Sequence, residues 1–228
     1  MIPTLIYCAG GNPQFDKIAL HCGFRLGARL PETIYYELFF ADQDWRNPDR
    51  ASYMTALAKH RPQMATVLDW ECPEQLPEVL DWAEEASQYV QQVVIIPKVI
   101  NHISQLPRSI GNAGVILGYS VPTQYGGTHT PIWEFTGWPV HLLGGSPHTQ
   151  IRLTSYLNVV SVDGNMTNLM ATRHCRFWTN GNGIGNSRYW QQLESGFEGN
   201  APAEAFRRSC QNIAAAWANL HIESPKNP

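Results

Sequence analysis

The chain is 228 residues long with a net charge of −3, 43% hydrophobic and only 15% charged, and its sequence pI is about 6.2. That length suits one α/β domain or a compact barrel, because single domains commonly reach about 250 residues before they divide. The acidic balance excludes a protein-wide basic field of the kind that draws a repressor onto DNA, so any nucleic-acid contact must come from a local patch.

In chain order, Thr4 to Cys8 reads as a first strand, closed by the turn Ala9-Gly10-Gly11-Asn12-Pro13 and followed by a short helix from Gln14 to Cys22 that stops at Gly23. Phe24 to Arg29 is a weaker second strand. Phe39 to Trp45 reads as a loop carrying two acids, and a helix restarts at Pro48 and runs to His60. The apolar run Ala65 to Trp70 is the next strand. Glu74 to Gln92, with Leu76, Val79, Leu80, Ala83 and Ala86 at helical spacing and acids near its start, is the clearest helix. Val93 to Ile96 is apolar without alternation, the pattern of a parallel strand covered on both faces. Strands follow at Gly114 to Ser120, Pro139 to Gly145 and Asn158 to Asp163, with short helices at most in 101–111 and 147–157, and a last helix spans Ala201 to Leu220.

About seven strands interrupted by helices predict an α/β fold, a (β/α) TIM-type barrel of seven or eight parallel strands, complete or abbreviated. One domain over residues 1–222 and a polar tail over 223–228 are expected. A Rossmann sheet is disfavoured, because no G-x-G-x-x-G follows the first strand, and Gly181-Asn182-Gly183-Ile184-Gly185 reads as a mobile loop. Cys8, Cys22, Cys72, Cys175 and Cys210 suit neither a disulfide framework nor a zinc knuckle. His129, His141, His148 and His174 lack metal-ligand spacing, so no metal is expected, and His141 inside a strand reads as a core histidine. Gly144-Gly145-Ser146-Pro147-His148 is not a nucleophile elbow. The N-terminus has no basic leader and no apolar stretch approaches the ~20 residues that cross a bilayer, so a soluble, cytoplasmic protein with no membrane partner is expected.

The chemistry concentrates at strand ends. Asp163 closes one apolar run and Asp69 another, at the positions where α/β barrels hold their reacting groups. Alternation along a strand puts Asp163 on one face with Ser161 and Val159, and Asp69 on one with Val67 and Glu71. If both faces look into the barrel, two carboxylates meet at the rim. Such a pair suits cleavage of a glycosidic bond, one acid attacking or stabilising C1′ while the other moves a proton or grips the leaving base. The ordinary alternative is that each Asp only caps the next turn. Gly118, Gly126, Gly127, Gly144 and Gly145 follow candidate strands, where a missing side chain admits a planar ligand or phosphate to backbone N–H groups, or merely makes a turn. Trp45, Trp70, Tyr119, Tyr125, Trp133 and Trp138 lie near predicted loops as stacking or packing residues. Arg173-His174-Cys175-Arg176 is the local basic patch.

The order of these motifs resembles the tRNA-guanine transglycosylase superfamily, including its relatives that insert 7-deazaguanine bases into DNA. Leu68-Asp69-Trp70-Glu71 resembles that family's Phe-Asp-Glu-type segment, and Leu117-Gly118-Tyr119-Ser120 stands where its base-binding loop would be. Val140 to Gly145 is similar to its Leu-Met-Gly-Val-Gly strand, Ser161-Val162-Asp163-Gly164 to its nucleophile strand, and Ala171 to Arg176 to its Thr-Arg-containing stretch. The likeness covers roughly Ala65 to Arg176. The family's Asp-Ser-Gly-Gly-Phe segment has no counterpart, leaving Asp42 and Asp44 as stand-ins, and the zinc cluster of the tRNA enzymes is missing.

What the resemblance implies is a zinc-free, cofactor-free pentosyltransferase that exchanges a guanine for a 7-deazaguanine-type base in nucleic acid, DNA favoured over tRNA. Asp163 would be the nucleophile and Asp69 would hold the base edge. Asp42, Asp44, Gly118, Ser120, Gly144 and Gly145 would line the substrate site, and Arg173 and Arg176 would meet phosphates. Its partners would be the nucleic acid and a small purine or deazapurine base, with a second copy or partner subunit also possible. A nucleoside or glycoside hydrolase with the same acids, and a non-catalytic base-binding barrel, are the other readings.

Overall fold

In the computed structural model, which describes residues 2–8, 11–123, 126–181 and 188–220, short apolar runs pair in parallel and close on themselves. The strands are β1 (Thr4–Cys8), β2 (Arg25–Arg29), β3 (Phe40–Asp42), β4 (Met64–Thr66), β5 (Gln92–Ile95), β6 (Ser109–Ile110), β7 (Ala113–Ser120), β8 (Pro139–Leu143) and β9 (Asn158–Gly164). Their order is β5-β4-β3-β2-β1-β9-β8-β7-β6, and β5 also pairs with β7. Eight parallel strands therefore make a closed barrel, the TIM-type architecture expected from the sequence, and closure removes the sheet edges. The ninth strand, β6, runs antiparallel to β7 outside the ring.

Side-chain caps start some of the helices. The Asn12 side chain accepts from the N–H groups of Gln14 and Phe15 and starts α1 (Pro13–His21). Asp49 accepts from Ser52 N–H at the start of α2 (Arg50–His60). Next come α3 (Leu76–Ala86), α4 (Pro147–Leu153), α5 (Met166–His174) and α6 (Ala201–Ala218), and the hairpin of β10 (Arg176–Trp178) and β11 (Trp190–Gln192) lies between the last two. Among the described residues no α-helix stands between β2 and β3, β5 and β7, or β7 and β8, so the outer layer is abbreviated. No helix among them is long and apolar enough to cross a membrane.

Several local expectations are corrected. Phe39 to Trp45 is not all loop: Phe40–Asp42 pairs with β2 and β4 and supplies the eighth barrel strand. It is short and ends in acid, which masks it in the sequence. The strand expected over Ala65 to Trp70 ends at Thr66, so Asp69 lies beyond regular pairing and cannot be assigned a face by alternation with Val67. The long helix runs from Leu76 to Ala86, preceded by a 3-10 turn at Pro73–Gln75, and Gln92 already belongs to β5. Along β9 the partners of Val140 and His141 are Val159 and Ser161, so Val160 is an extra bulged residue. The bulge breaks the period of two: Val159 packs outward, while Ser161 and Asp163 face the interior. The β10–β11 hairpin was not anticipated. The turn at 9–10, the loop over 182–185, Tyr125 and the tail over 223–228 lie outside the described residues.

Two apolar layers result. Helices pack on the outside of the ring around residues such as Val67, Val93, Leu117, Val140 and Trp217. The inside is filled by Ile6, Phe40, Met64, Val94, Ile96 and Ile116, with the polar His141 and Ser161 enclosed among them. This inner plug supports the carboxylates above it.

Candidate active site at the barrel rim

Asp163 is the penultimate residue of β9, opposite Ile6 of β1, and faces the barrel mouth. Its Oδ1 accepts the Gly144 N–H at 2.9 Å. Gly144 is at φ +67, a left-handed turn that glycine adopts without strain, and this turn points its N–H at the acid. Gln150, buried on α4, donates to the backbone carbonyls of both Gly144 (2.7 Å) and Asp163 (2.6 Å) and fastens the ends of β8 and β9 together.

Asp42 comes from β3. Thr66 at the end of β4 donates to its Oδ1 at 2.9 Å, while the Thr66 oxygen accepts the Gln43 N–H at 2.9 Å. Burial pushes the Asp42 carboxyl up to about 7, with the charge on Asp163 adding to it and the Thr66 hydrogen bond opposing it. Burial likewise raises Asp163 to about 6, against the stabilising hydrogen bonds from Gly144 and the Cys8 thiol. The repulsion between the two acids is felt by whichever ionises second, which is Asp42. Cys8, at the end of β1, is pushed well above the usual thiol range by burial and then by Asp163 and Asp42, so it sits there as a neutral thiol.

Below Asp163 lies His141, fully buried on β8. Its Nδ1 is 2.8 Å from Ser161 Oγ, and its Nε2 has no hydrogen-bond partner and stands 3.8 Å from Asp163 Oδ1. Burial drives its pKa down to about 3, offset only slightly by the Ser161 backbone, so the ring is neutral. Phe40 packs against it with ring centroids 4.7 Å apart.

Asp69 and Lys98 form the next part of the rim. Lys98 Nζ is 2.7 Å from Asp69 and 3.0 Å from Glu71, and it lies 5.7 Å from the ring centre of Trp45, a residue 56% exposed. Burial raises Asp69, and the Lys98 hydrogen bond and charge pull it back. The charge of Asp69 also reaches Asp42. The pairing expected between Asp163 and Asp69 is therefore indirect: Asp42 stands between them. Asp44 points elsewhere, 3.7 Å from Arg29, which also binds Glu32.

The other expected residues divide. Gly118 is not an open cradle, since an added Cβ would fall 2.6 Å from Ile96 and 2.8 Å from Leu143 inside the barrel. Ser120 ends β7 and its carbonyl accepts from Thr128. A Cβ on Gly145 would meet Val121 at 2.7 Å, and one on Gly127 would meet the Pro122 backbone, whereas Gly144 and Gly126 have open space. Arg173 lies in the last turn of α5 and Arg176 just past it. That helix begins at the rim directly after β9 and runs nine residues, about 13 Å at 1.5 Å per residue, so the two arginines stand a helix length from Asp163. Trp70 and Trp138 are buried packing residues, and Tyr119 packs edge-on to Phe135, while Trp133 is 64% exposed. Among the described residues no group of three or more His, Cys, Asp or Glu side chains is arranged to hold a metal ion.

The match that places this chain covers residues 19–218, most of the barrel. The chain belongs to a family of unknown function (DUF6610). The DUF6610 span takes in Asp42, Thr66, Asp69, Lys98, His141 and Asp163 and leaves Cys8 outside. No curated protein matches the chain. Among solved structures it is similar to N-(5′-phosphoribosyl)anthranilate isomerase from Pyrococcus furiosus, at 10% identity over 92% of this chain and 99% of that one, with a TM-score of 0.37.

Sequence reasoning missed Cys8, Thr66, Lys98 and Gln150 as members of this DUF6610 rim, and passed over His141 as core. Thr66 left one trace, a lone hydroxyl in the apolar run Met64 to Leu68. Lys98 left another, as the first charge after Val93 to Pro97. Nothing local marks Gln150, because its contacts are to backbone.

Proposed function

We propose that the chain is a pentosyltransferase that exchanges a guanine for a 7-deazaguanine-type base in nucleic acid, with Asp163 as the attacking carboxylate. The observation that carries this reading is a pair of buried rim carboxylates, Asp163 held by the Gly144 N–H and Asp42 by the Thr66 hydroxyl, whose burial pushes them up to about 6 and about 7. At pH between those values one acid is ionised and the other holds a proton, which is the division that two-step displacement at C1′ requires. Asp163 attacks C1′, the C–N bond breaks, and the leaving base takes the proton of Asp42. The incoming base returns its N–H proton to Asp42 as its nitrogen displaces Asp163 from C1′. Asp69, paired with Lys98, accepts hydrogen bonds from the base edge, and exposed Trp45 beside Lys98 offers a ring for stacking.

A second reading, hydrolysis of a small nucleoside with water as acceptor, is favoured by one feature: the rim is rich in acid, and Arg173 and Arg176 stand away from it, leaving a polyanion few cationic contacts there. One assay separates the two. Labelled guanine or deazaguanine is incubated with the protein and separate DNA and tRNA pools, and unlabelled nucleosides are tested in parallel for free-base release. Label entering a polymer, lost in Asp163→Asn together with any trapped adduct, supports exchange. Free base without incorporation supports hydrolysis. Full activity in Asp163→Asn, with the protein folded, removes the carboxylate from both.

A further inference from the structure

His141 is a polar residue within a largely apolar barrel filling. It is fully buried between Phe40 and Ser161, where an apolar side chain would fill the space without desolvating two ring nitrogens. One nitrogen is satisfied, Nδ1 by Ser161 Oγ at 2.8 Å, and the other is not. The unsatisfied Nε2 lies 3.8 Å from Asp163 Oδ1.

Ser161 is the group that bears on which nitrogen carries the ring proton. Its hydroxyl has one proton and two neighbours, the Nδ1 of His141 at 2.8 Å and the sulfur of Met64 at 3.9 Å. A neutral imidazole nitrogen is a far better acceptor than a thioether, and in the tautomer in which the hydroxyl donates to Nδ1 the ring proton sits on Nε2, aimed at Asp163; the Ser161 backbone, which also acts on the ring, favours the other tautomer. The Gly144 N–H already donates to the same carboxylate oxygen at 2.9 Å.

We infer that His141 is a positioning residue for Asp163: its Nε2–H is the second N–H donor to Oδ1, which together with the Gly144 N–H fixes the carboxylate in its ionised form. A carboxylate movement of roughly 1 Å closes the 3.8 Å gap to an ordinary hydrogen bond of about 2.8 Å. With Oδ1 held by two N–H groups, the shared proton of the acid pair resides on Asp42. The buried Ser161 hydroxyl supports this tautomer, as a partner to the far nitrogen of a working histidine commonly does. The groups that face Asp163 are His141 from β8, the Gly144 N–H after it, the Cys8 thiol from β1 and Asp42 from β3, and Asp42 in turn feels Asp69 and Arg29. This assignment rests on Asp163 being the reacting acid of the proposed transfer, and it is tested without turnover.

The experiment follows the Asp163 carboxyl carbon by NMR through a pH titration of the full chain labelled at aspartate carboxyls, with Asp163→Asn identifying the signal. His141→Met, similar in volume but without a donor, is expected to raise the ionisation midpoint of Asp163 by about one unit, a tenfold change in its ionisation constant. His141→Gln, whose amide donates from a comparable position, is expected to restore it to within about 0.3 unit. Thermal melting reports whether each variant is folded. If His141→Met does not fold, Ser161→Ala, which releases the ring tautomer, takes its place with a smaller rise expected. An unchanged or lowered midpoint in the folded variant overturns the inference, a lowered one meaning that Nε2 presents a lone pair. A raised midpoint in a protein that turns over no nucleoside upholds it and sinks the transferase reading, and turnover with an unmoved midpoint does the reverse.

Discussion

Asp42 and Asp163 are separated by β1 and β2, and burial, with the charge of Asp163 adding to it, holds a proton on Asp42 up to about pH 7. The order of ionisation is thereby set, and it makes an asymmetric prediction. Asp163→Asn should lower the midpoint of Asp42, because the repelling charge is gone. Asp42→Asn should leave Asp163 nearly where it was, because Asp42 is still neutral while Asp163 titrates. Carboxyl NMR titrations of the two variants check this, and equal shifts in both would contradict it.

The same two acids tie stability to pH. Both have folded pKa values raised above the unfolded 3.8, to about 7 and about 6, so the native state binds more protons than the unfolded one between about pH 4 and pH 7. Their contribution is fully present below pH 4 and is lost as pH rises through 6 and 7. Asp42→Asn should therefore raise the melting temperature at pH 8 while changing it little near pH 4. The ceiling on that gain is about 4 kcal/mol, three units at 1.36 kcal/mol each. Melting curves at the two pH values measure it.

Thr66 is the joint between β3 and β4, donating to Asp42 and accepting from Gln43 N–H. Thr66→Val keeps the shape and leaves both partners unsatisfied, a cost of about 1–3 kcal/mol. It should also move the Asp42 midpoint up, since the hydroxyl favours the ionised form. Chemical denaturation and the carboxyl titration give the two readings.

Lys98 and Asp69 are both mostly buried, with side chains 22% and 13% exposed and 2.7 Å apart. Lys98→Met strands the carboxylate, and a loss of about 1–3 kcal/mol is expected, below the 3–5 of a fully buried pair because water still reaches the rim. The double variant with Asp69→Asn should regain much of it. A double-mutant cycle in denaturant tests the pair.

Gly118 is a packing position. A methyl there would lie 2.6 Å from Ile96 and 2.8 Å from Leu143, so Gly118→Ala should destabilise the barrel by about 1–3 kcal/mol through overpacking. Comparable stability with reduced ligand affinity would instead mark the glycine as a ligand contact.

Much of the architecture was legible because its signals are local. The unalternating run Val93 to Ile96 marked a parallel sheet, the helical spacing of Leu76 to Ala86 marked a covering helix, and about seven such strands interrupted by helices pointed to a barrel. The short β3 was not legible, since three residues ending in Asp carry no period, and its order comes from its neighbours β2 and β4. The bulge at Val160 was equally hidden, because it exists only in the register between β8 and β9.

The chain's own letters determined that acids end apolar runs, and so that Asp163 and Asp69 would be found near strand ends, whereas Asp42 read as a loop acid. Only the closed barrel decided which of them face one another. The electrostatic coupling of Asp42 on β3 to Asp163 on β9 joins residues more than a hundred positions apart, and it follows from ring closure and strand register, which hydrophobic period does not encode. Closure turned Asp42 inward toward Asp163, gave Asp69 to Lys98, and set His141, a residue whose sequence context says only that it is core, beneath the carboxylate it faces.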